Sequence, residues 1–207
     1  MMKPKVDARA DRWRTCLHEA GHTIIGVGFS LKLDPATPLA DELARVGPAG
    51  GWGTGFDADP TARTPDALAT MAGPRAELLA DAYRAPEEAP QLLDALGRLA
   101  ARVHARDPIA YAIAAAVAWP LDEIVVAKWC IAGHEKHPDS WAPRHAWLVY
   151  QADILVRSNA ALIVKAAMIL YETGHLMAAD LRRLMGLPEP PPADAGKPPA
   201  EPAEERK

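Results

Sequence analysis

Proline and glycine divide this chain of 207 residues into short apolar segments. Proline inside a helix removes a backbone hydrogen bond, so the segments between prolines are the natural helices. Thr64-Pro65 and Asp107-Pro108 each place a capping side chain before a proline, which is typical of a helix start. Helices are therefore predicted over about residues 8–29, 66–83 (kinked or divided at Gly73-Pro74), 89–105, 109–119, 121–132, 141–157, 160–173 and 178–185.

Residues 33–63 differ from the rest, because prolines and glycines there interrupt any helix. Trp52, Thr54 and Phe56 fall on alternating positions, which is the period of a strand. We therefore expect loops with one or two short strands, and a mainly α fold. One domain over residues 1–187 is predicted, followed by a disordered proline-rich tail over residues 188–207, where large apolar residues are almost absent.

Composition and charge exclude several classes of protein. A hydrophobic content of 49% suffices for a core. The net charge of -4 argues against nucleic acid as a partner, because phosphate binding requires an excess of Lys and Arg. Two cysteines without a CxxC pair suit a reducing cytoplasm. No signal peptide is visible, and the longest apolar stretch, residues 109–119, is shorter than the about 20 residues of a membrane span. We therefore expect a soluble cytoplasmic protein.

The sequence His18-Glu19-Ala20-Gly21-His22 places an HExxH motif inside the first predicted helix. Residues four apart share a helix face, so His18 and His22 can both bind one tetrahedral zinc. Glu19 is rotated by roughly 100° and is not a ligand. Its carboxylate can reach a water on the open side of the metal. Gly21 indicates that another element packs very close to this helix.

This motif predicts a zinc-dependent peptidase. Zinc lowers the pKa of a bound water to about 7. Glu19 can then act as the catalytic general base and pass the proton to the leaving amine. The fold prediction becomes a helical metallopeptidase domain with a small β-element beside the HExxH helix.

These residues resemble the peptidase domain of FtsH-type ATP-dependent zinc metalloproteases. The HEAGH motif matches that family letter for letter, and Gly51 to Phe56 is similar to its glycine-containing strand. Ala72-Gly73-Pro74-Arg75-Ala76-Glu77 matches its Ala-Gly-x-x-Ala-Glu helix start. The resemblance implies an aspartate as third zinc ligand roughly twenty residues beyond that glycine, and Asp94 lies at about that place, although the surrounding Gly-Ala-x-x-Asp pattern is replaced.

Alternatives to this interpretation stay open. Glu77 and Asp81 lie four residues apart on one predicted helix face, and resemblance to a second class of metallopeptidases implies them as alternative third ligands. An acidic helix of this kind is similar to the ImmA/IrrE-type metallopeptidases, which cleave repressors. A non-catalytic adaptor that retains the fold is the hypothesis from a different class, and the intact Glu19 argues against it. His104, His145 and His175 are predicted to be satisfied or exposed histidines and not ligands.

The resemblance also bears on partners. No Gly-x-x-x-x-Gly-Lys-Ser/Thr phosphate loop occurs in the sequence, so the prediction is a stand-alone peptidase domain without the ATPase module. Such a domain is expected to cleave small peptides or already unfolded proteins. A homo-oligomer or a separate ATPase partner fits the family and is left open by the sequence.

Overall fold

The computed structural model describes residues 8–33, 39–46, 64–80, 96–102, 105, 121–133 and 141–188. Within these ranges the chain is mainly helical and carries a small antiparallel sheet of two strands, as the sequence predicts. In chain order the elements are α1 (Ala8–Leu33), β1 (Glu42–Arg45), α2 (Thr64–Glu77), α3 (residues 96–102), α4 (Leu121–Ala132), α5 (Trp141–Ser158), α6 (Ala160–Thr173), β2 (His175–Met177) and α7 (Ala178–Met185).

Helix α1 is central because two elements pack along it. Leu17, Ala20, Ile24 and Val27 recur at helical spacing and are buried in one apolar cluster with residues of α2 and α6. Gly21 lies against α2: a Cβ there would stand 2.6 Å from the Cβ of Ala76. The two helices can approach this closely only without that side chain, which confirms the expectation of close packing at Gly21.

The sheet joins two distant parts of the chain. Strand β1 pairs with β2, with Arg45 opposite His175 and an irregular register between Glu42 and Ala44. Gly174 ends α6 in the left-handed conformation, with φ of 82°, and donates its N–H to the Leu170 carbonyl. This conformation suits glycine because it has no Cβ, and it lets the chain leave the helix directly into β2.

A second apolar region lies on the other side of α2. There Met71 of α2, Val126 of α4 and Leu148 of α5 are fully or almost fully buried in one cluster. Leu96 of α3 and Ile124 of α4 are buried in an adjoining cluster. Helix α2 therefore lies between α1 on one face and α4 and α5 on the other.

The helix limits agree with the sequence prediction in the second half of the chain, whereas α1 continues to Leu33 and not to about residue 29, and α2 covers Thr64–Glu77 and not residues 66–83. Helices α4, α6 and α7 have the predicted bounds, and α5 extends one residue further. The predicted division at Gly73-Pro74 is absent, because α2 continues through Pro74 to Glu77. It then ends in i→i−3 bonds, Leu79 N–H to the Ala76 carbonyl and Ala80 N–H to the Glu77 carbonyl, both 3.0 Å. The predicted helix over residues 109–119, the strand at residues 52–56 and the tail lie outside the described residues, apart from residue 188 at the start of the tail.

Among the described residues, no single helix has both the length and the apolar character that crossing a membrane requires. Helices α5 and α6 meet that test only when they are taken together, and they are bent by 77° at the break between them.

Candidate metal centre

His18 and His22 stand one turn apart on α1 and face the same space, as the motif predicts. Their rings meet edge to face with centroids 4.5 Å apart. The two Nε2 atoms are 2.9 Å apart. The pair is only partly accessible: His22 is buried and His18 is half-buried.

The other ring nitrogens define the tautomers. His18 Nδ1 lies 2.6 Å from Glu77 Oε1, and His22 Nδ1 lies 2.8 Å from the Ala69 carbonyl oxygen. An ionised carboxylate and a carbonyl can only accept, so each Nδ1–H is the donor. Each Nε2 of a neutral ring therefore directs a lone pair toward the other. Carboxylate and carbonyl partners of this kind orient metal-binding histidines in proteins.

Asp122 of α4 is the third member of the group. It lies in the first turn of α4, and its Oδ2 is 3.0 Å from His18 Nε2 and 3.5 Å from His22 Nε2. One ligand atom from each of the three residues lies within 4.8 Å of the others. Two ligands bound at about 2.1 Å to a tetrahedral zinc are separated by about 3.4 Å, so these distances fit one ion.

The charges in this group respond strongly to one another. Burial disfavours the charged imidazole of His18, but hydrogen bonds to Asp122 and Glu77 outweigh it and raise the pKa of His18 to about 10. Burial would raise the pKa of Asp122, yet hydrogen bonds to the two histidines hold that pKa well below its usual range. Without a cation, a proton therefore takes the position between the three acceptors. The arrangement of His18, His22 and Asp122 therefore stabilises a positive charge between them.

Glycine in α2 makes room for the histidines. A Cβ on Gly73 would collide with the imidazole ring of His22. A Cβ on Gly21 of α1 would in turn stand 2.7 Å from the Ala72 carbonyl oxygen. The small residues on both helices thus let α2 come close enough for Glu77 to reach His18. These contacts explain why small residues at positions 72, 73 and 76 precede the glutamate in the Ala-Gly-x-x-Ala-Glu segment.

Glu19 differs from the other carboxylates of the site. It is buried, and its Oε2 has no hydrogen-bond partner among the described residues. Burial is the main cause that raises the pKa of this carboxyl above its usual range, while the charges of His18 and His22 act in the opposite direction. An open cleft beside it is lined by Arg14, Thr15, His18, Glu19 and Glu77. Glu19 therefore lines the cleft beside His18, and its Oε2 is a buried carboxylate oxygen with no fixed partner among the described residues.

The residues predicted as third ligand have different outcomes. Asp94 and Asp81 lie outside the described residues, and Asp94 stays a prediction. Glu77 lies beside Nδ1 of His18, away from the converging Nε2 atoms, and is a partner of the ring and not a member of the converging group. Asp122 was missed. Its only sequence signal is an acidic residue in the first turn after Pro120, which is typical of many helix starts.

Two other histidines can be compared with the predictions. His175 is exposed, and its Nδ1 lies 3.1 Å from Glu42 Oε2, as expected for a satisfied surface histidine. His145 is not a member of the converging group, as predicted, but contrary to the prediction it is neither exposed nor satisfied among the described residues. His145 is fully buried, and neither ring nitrogen has a hydrogen-bond partner within the described part of the chain. The packing of α5 against α2 and α4 buries His145, and the residues around it in the sequence do not predict that packing.

Comparison with protein-family profiles, with curated proteins and with solved structures found no match.

Proposed function

We propose that this protein is a zinc-dependent peptidase that hydrolyses peptide bonds in small peptides or unfolded proteins. The proposed zinc ligands are His18, His22 and Asp122, and Glu19 is the proposed general base. Asp122 takes the place that the resemblance suggested for Asp94, because its Oδ2 lies 3.0 Å from His18 Nε2.

One observation carries the metal assignment. Both histidines use Nδ1–H for partners outside the group, so the Nε2 atoms of the neutral rings and the Asp122 carboxylate are three acceptors that converge. Three such acceptors repel one another unless a cation or a proton lies among them. Two imidazoles and one carboxylate, with further space at an open cleft, are the donor set of catalytic zinc sites. They differ from closed structural sites, which use four protein ligands.

The protein's own groups supply the rest of the chemistry. Bound zinc contributes Lewis acidity, which polarises a carbonyl and acidifies a water. Glu19 accepts the proton of the attacking water at its carboxylate and then delivers it to the amide nitrogen that leaves. A raised pKa suits this exchange, since a carboxylate closer to neutrality both takes and returns a proton. Glu77 and Ala69 keep the two rings oriented.

The packing of α2 also supports the proposed likeness to FtsH-type peptidases. Gly73 and Ala72 allow the close approach of α1, and Glu77 reaches His18. The matched letters of both motifs are therefore the ones that build the site. Substrate would approach the site through the cleft lined by Arg14, Thr15 and Glu19.

The test compares wild-type protein with Glu19→Gln. We expect both to bind about one zinc per chain, and only the wild type to cleave casein or an unfolded peptide. A general base typically contributes about 10² to 10⁴ in rate, so the loss is expected in that range. The control is Glu172→Gln, which removes a carboxylate from the exposed end of α6 and is expected to leave cleavage unchanged.

Each other outcome points elsewhere. Wild-type protein without bound zinc contradicts the metal assignment. Zinc bound by both variants, with cleavage by neither, contradicts the peptidase and favours the adaptor hypothesis. Equal cleavage by wild type and Glu19→Gln contradicts the role of Glu19 alone.

A further inference from the structure

A second group of buried polar side chains lies behind the metal centre, where α2, α4 and α5 meet. It consists of Arg75, Glu123, His145 and Asp153, and is called the rear cluster below. Arg75 Nε is 3.5 Å from Asp153 Oδ1, and His145 Nε2 is 4.0 Å from Glu123 Oε1. Arg75 and Glu123 are each 7% exposed, and His145 is fully buried.

Stability alone does not account for this group. Charged groups lose hydration when they are buried, and replacing a buried ion pair by apolar residues is often neutral or stabilising. His145 adds a further cost, because neither ring nitrogen has a hydrogen-bond partner in the described ranges. The apolar residues Met71, Val126 and Leu148 already fill the surrounding core. What the rear cluster adds is a charged link between α2 and α5, since Arg75 Nε and Asp153 Oδ1 attract each other at 3.5 Å across the boundary of the two helices.

The chain connects each end of the rear cluster to the metal centre. Glu123 directly follows Asp122 in the first turn of α4, so the two side chains diverge by roughly 100°. Asp122 faces the histidines, whereas Glu123 faces His145 of α5. The first turn of α4 therefore borders the histidines of α1 through Asp122 and borders α5 through Glu123.

Helix α2 repeats this arrangement. Arg75 and Glu77 are two residues apart, which places them roughly 200° apart around the helix. Glu77 contacts His18 of α1, and Arg75 contacts Asp153 of α5. Helix α5 thus provides no residue to the metal group, yet it contacts both helices that provide its acidic partners.

We propose that the rear cluster positions Asp122 and Glu77 relative to the two histidines, and that Arg75, Glu123, His145 and Asp153 are positioning residues for metal binding. The inference rests on the proposed zinc site. Ligand sites need their side chains held within about 0.5 Å of the productive geometry, and a rotation of α2 or α4 would move Glu77 or Asp122 out of that range.

The experiment measures two properties of each variant: zinc affinity by competition with a chromophoric chelator, and thermal unfolding of the zinc-free protein. Glu123→Gln and Asp153→Asn remove one charge each while keeping volume and hydrogen-bonding capacity, so both should fold. The matched control is Leu148→Ala, a buried apolar side chain on α5 between His145 and Asp153. Leu148→Ala should lower the midpoint of unfolding most.

We expect both polar variants to bind zinc about tenfold or more weakly, as for other groups that orient ligands, with a smaller drop in unfolding temperature than Leu148→Ala. Leu148→Ala should keep its zinc affinity within about twofold, since its contribution is to packing. The absorption spectrum of the cobalt-substituted protein should change in the polar variants and not in the control.

Three outcomes overturn the inference. The first is zinc affinity within twofold of wild type in both polar variants. The second is a loss of affinity that follows the loss of unfolding temperature in all three variants alike, and the third is failure of both polar variants to fold. If the wild type itself binds no zinc, the proposed function fails first, and that result is visible in the same titration.

Discussion

The metal centre and the rear cluster each bury a histidine among charged groups, yet the two imidazoles respond in opposite ways. The pKa of His18 is raised to about 10, and the pKa of His145 is lowered to about 4. Burial acts in the same direction on both rings, since it disfavours the charged form. The charge of Arg75 lowers the pKa of His145 further.

Distance to a carboxylate separates the two cases. Oxygens of Asp122 and Glu77 lie 3.0 Å and 2.6 Å from the ring nitrogens of His18, within hydrogen-bonding range. Glu123 Oε1 is 4.0 Å from His145 Nε2, too far for a hydrogen bond. The metal centre therefore favours a protonated imidazole, whereas the rear cluster keeps its imidazole neutral, although α2 and α4 border both groups. A buried histidine by itself indicates neither outcome.

The largest expected effect comes from removing the carboxylate that faces both Nε2 atoms, because the two site histidines would then lose the negative charge between them. Asp122→Asn should weaken zinc binding about a hundredfold or more and abolish peptide cleavage, because a ligand and its negative charge are lost together. Isothermal titration with zinc measures the affinity. Asp180→Asn on the remote helix α7 is the control. Unchanged affinity in Asp122→Asn would contradict the ligand assignment and return Asp94 to first place.

The buried imidazole of the rear cluster predicts a dependence of stability on pH. His145 takes up its proton near pH 6.5 when unfolded and near pH 4 when folded, so the folded state binds fewer protons between these values. The stabilisation is complete above about pH 6.5 and is lost as the pH falls toward 4, on the order of 3 kcal/mol in all. Denaturant unfolding of the zinc-free protein at pH 7.5 and pH 4.5 measures it.

The matching variant is His145→Phe, which cannot take up a proton. We expect its free energy of unfolding to fall less than that of the wild type between pH 7.5 and pH 4.5, by roughly 2.5 kcal/mol, because the titration is not complete at pH 4.5. Equal pH dependence in the two proteins would mean that His145 is not buried in its neutral form.

The smallest expected effect concerns the orientation of His18. Glu77→Gln keeps a side chain of the same length that can still accept from Nδ1, but it removes the charge. Zinc affinity should fall by about tenfold, since partners of this kind contribute roughly 10- to 100-fold. Competition with a chelator at constant pH gives the value. A loss as large as that of Asp122→Asn would place Glu77 among the ligands themselves.

The parts of the site that the sequence could predict are local. His18 and His22 share a helix face through their spacing, and Gly21 signals close packing without any knowledge of the partner helix. Asp122 could not be found in this way. It is 100 residues beyond His22, and only the packing of α4 on α2 brings it to the histidines. The rear cluster could not be predicted for the same reason. Arg75 and Glu123 are charged residues of the kind that usually lies on solvent-exposed helix faces.

The same distinction between local and long-range features applies to the fold. Helix limits followed from prolines and apolar spacing, since these act within one segment. Strand β1, Glu42–Arg45, shows no alternation of apolar and polar residues in the sequence. Its partner lies far along the sequence, and the alternating pattern at residues 52–56 falls outside the described residues.

The pairing of β1 with β2 has a consequence for the order in which the protein assembles. Glu42 and His175 are 133 residues apart in sequence, so their contact closes a long loop whose entropy must be lost before the sheet stabilises anything. Contacts of such long range slow folding. A chain emerging from the ribosome completes α1 early, but α6 and β2, which cover its apolar face and fasten β1, arrive much later. During that interval the histidine-bearing helix displays an uncovered apolar stripe, so newly made protein should depend on chaperones more than the mature fold suggests.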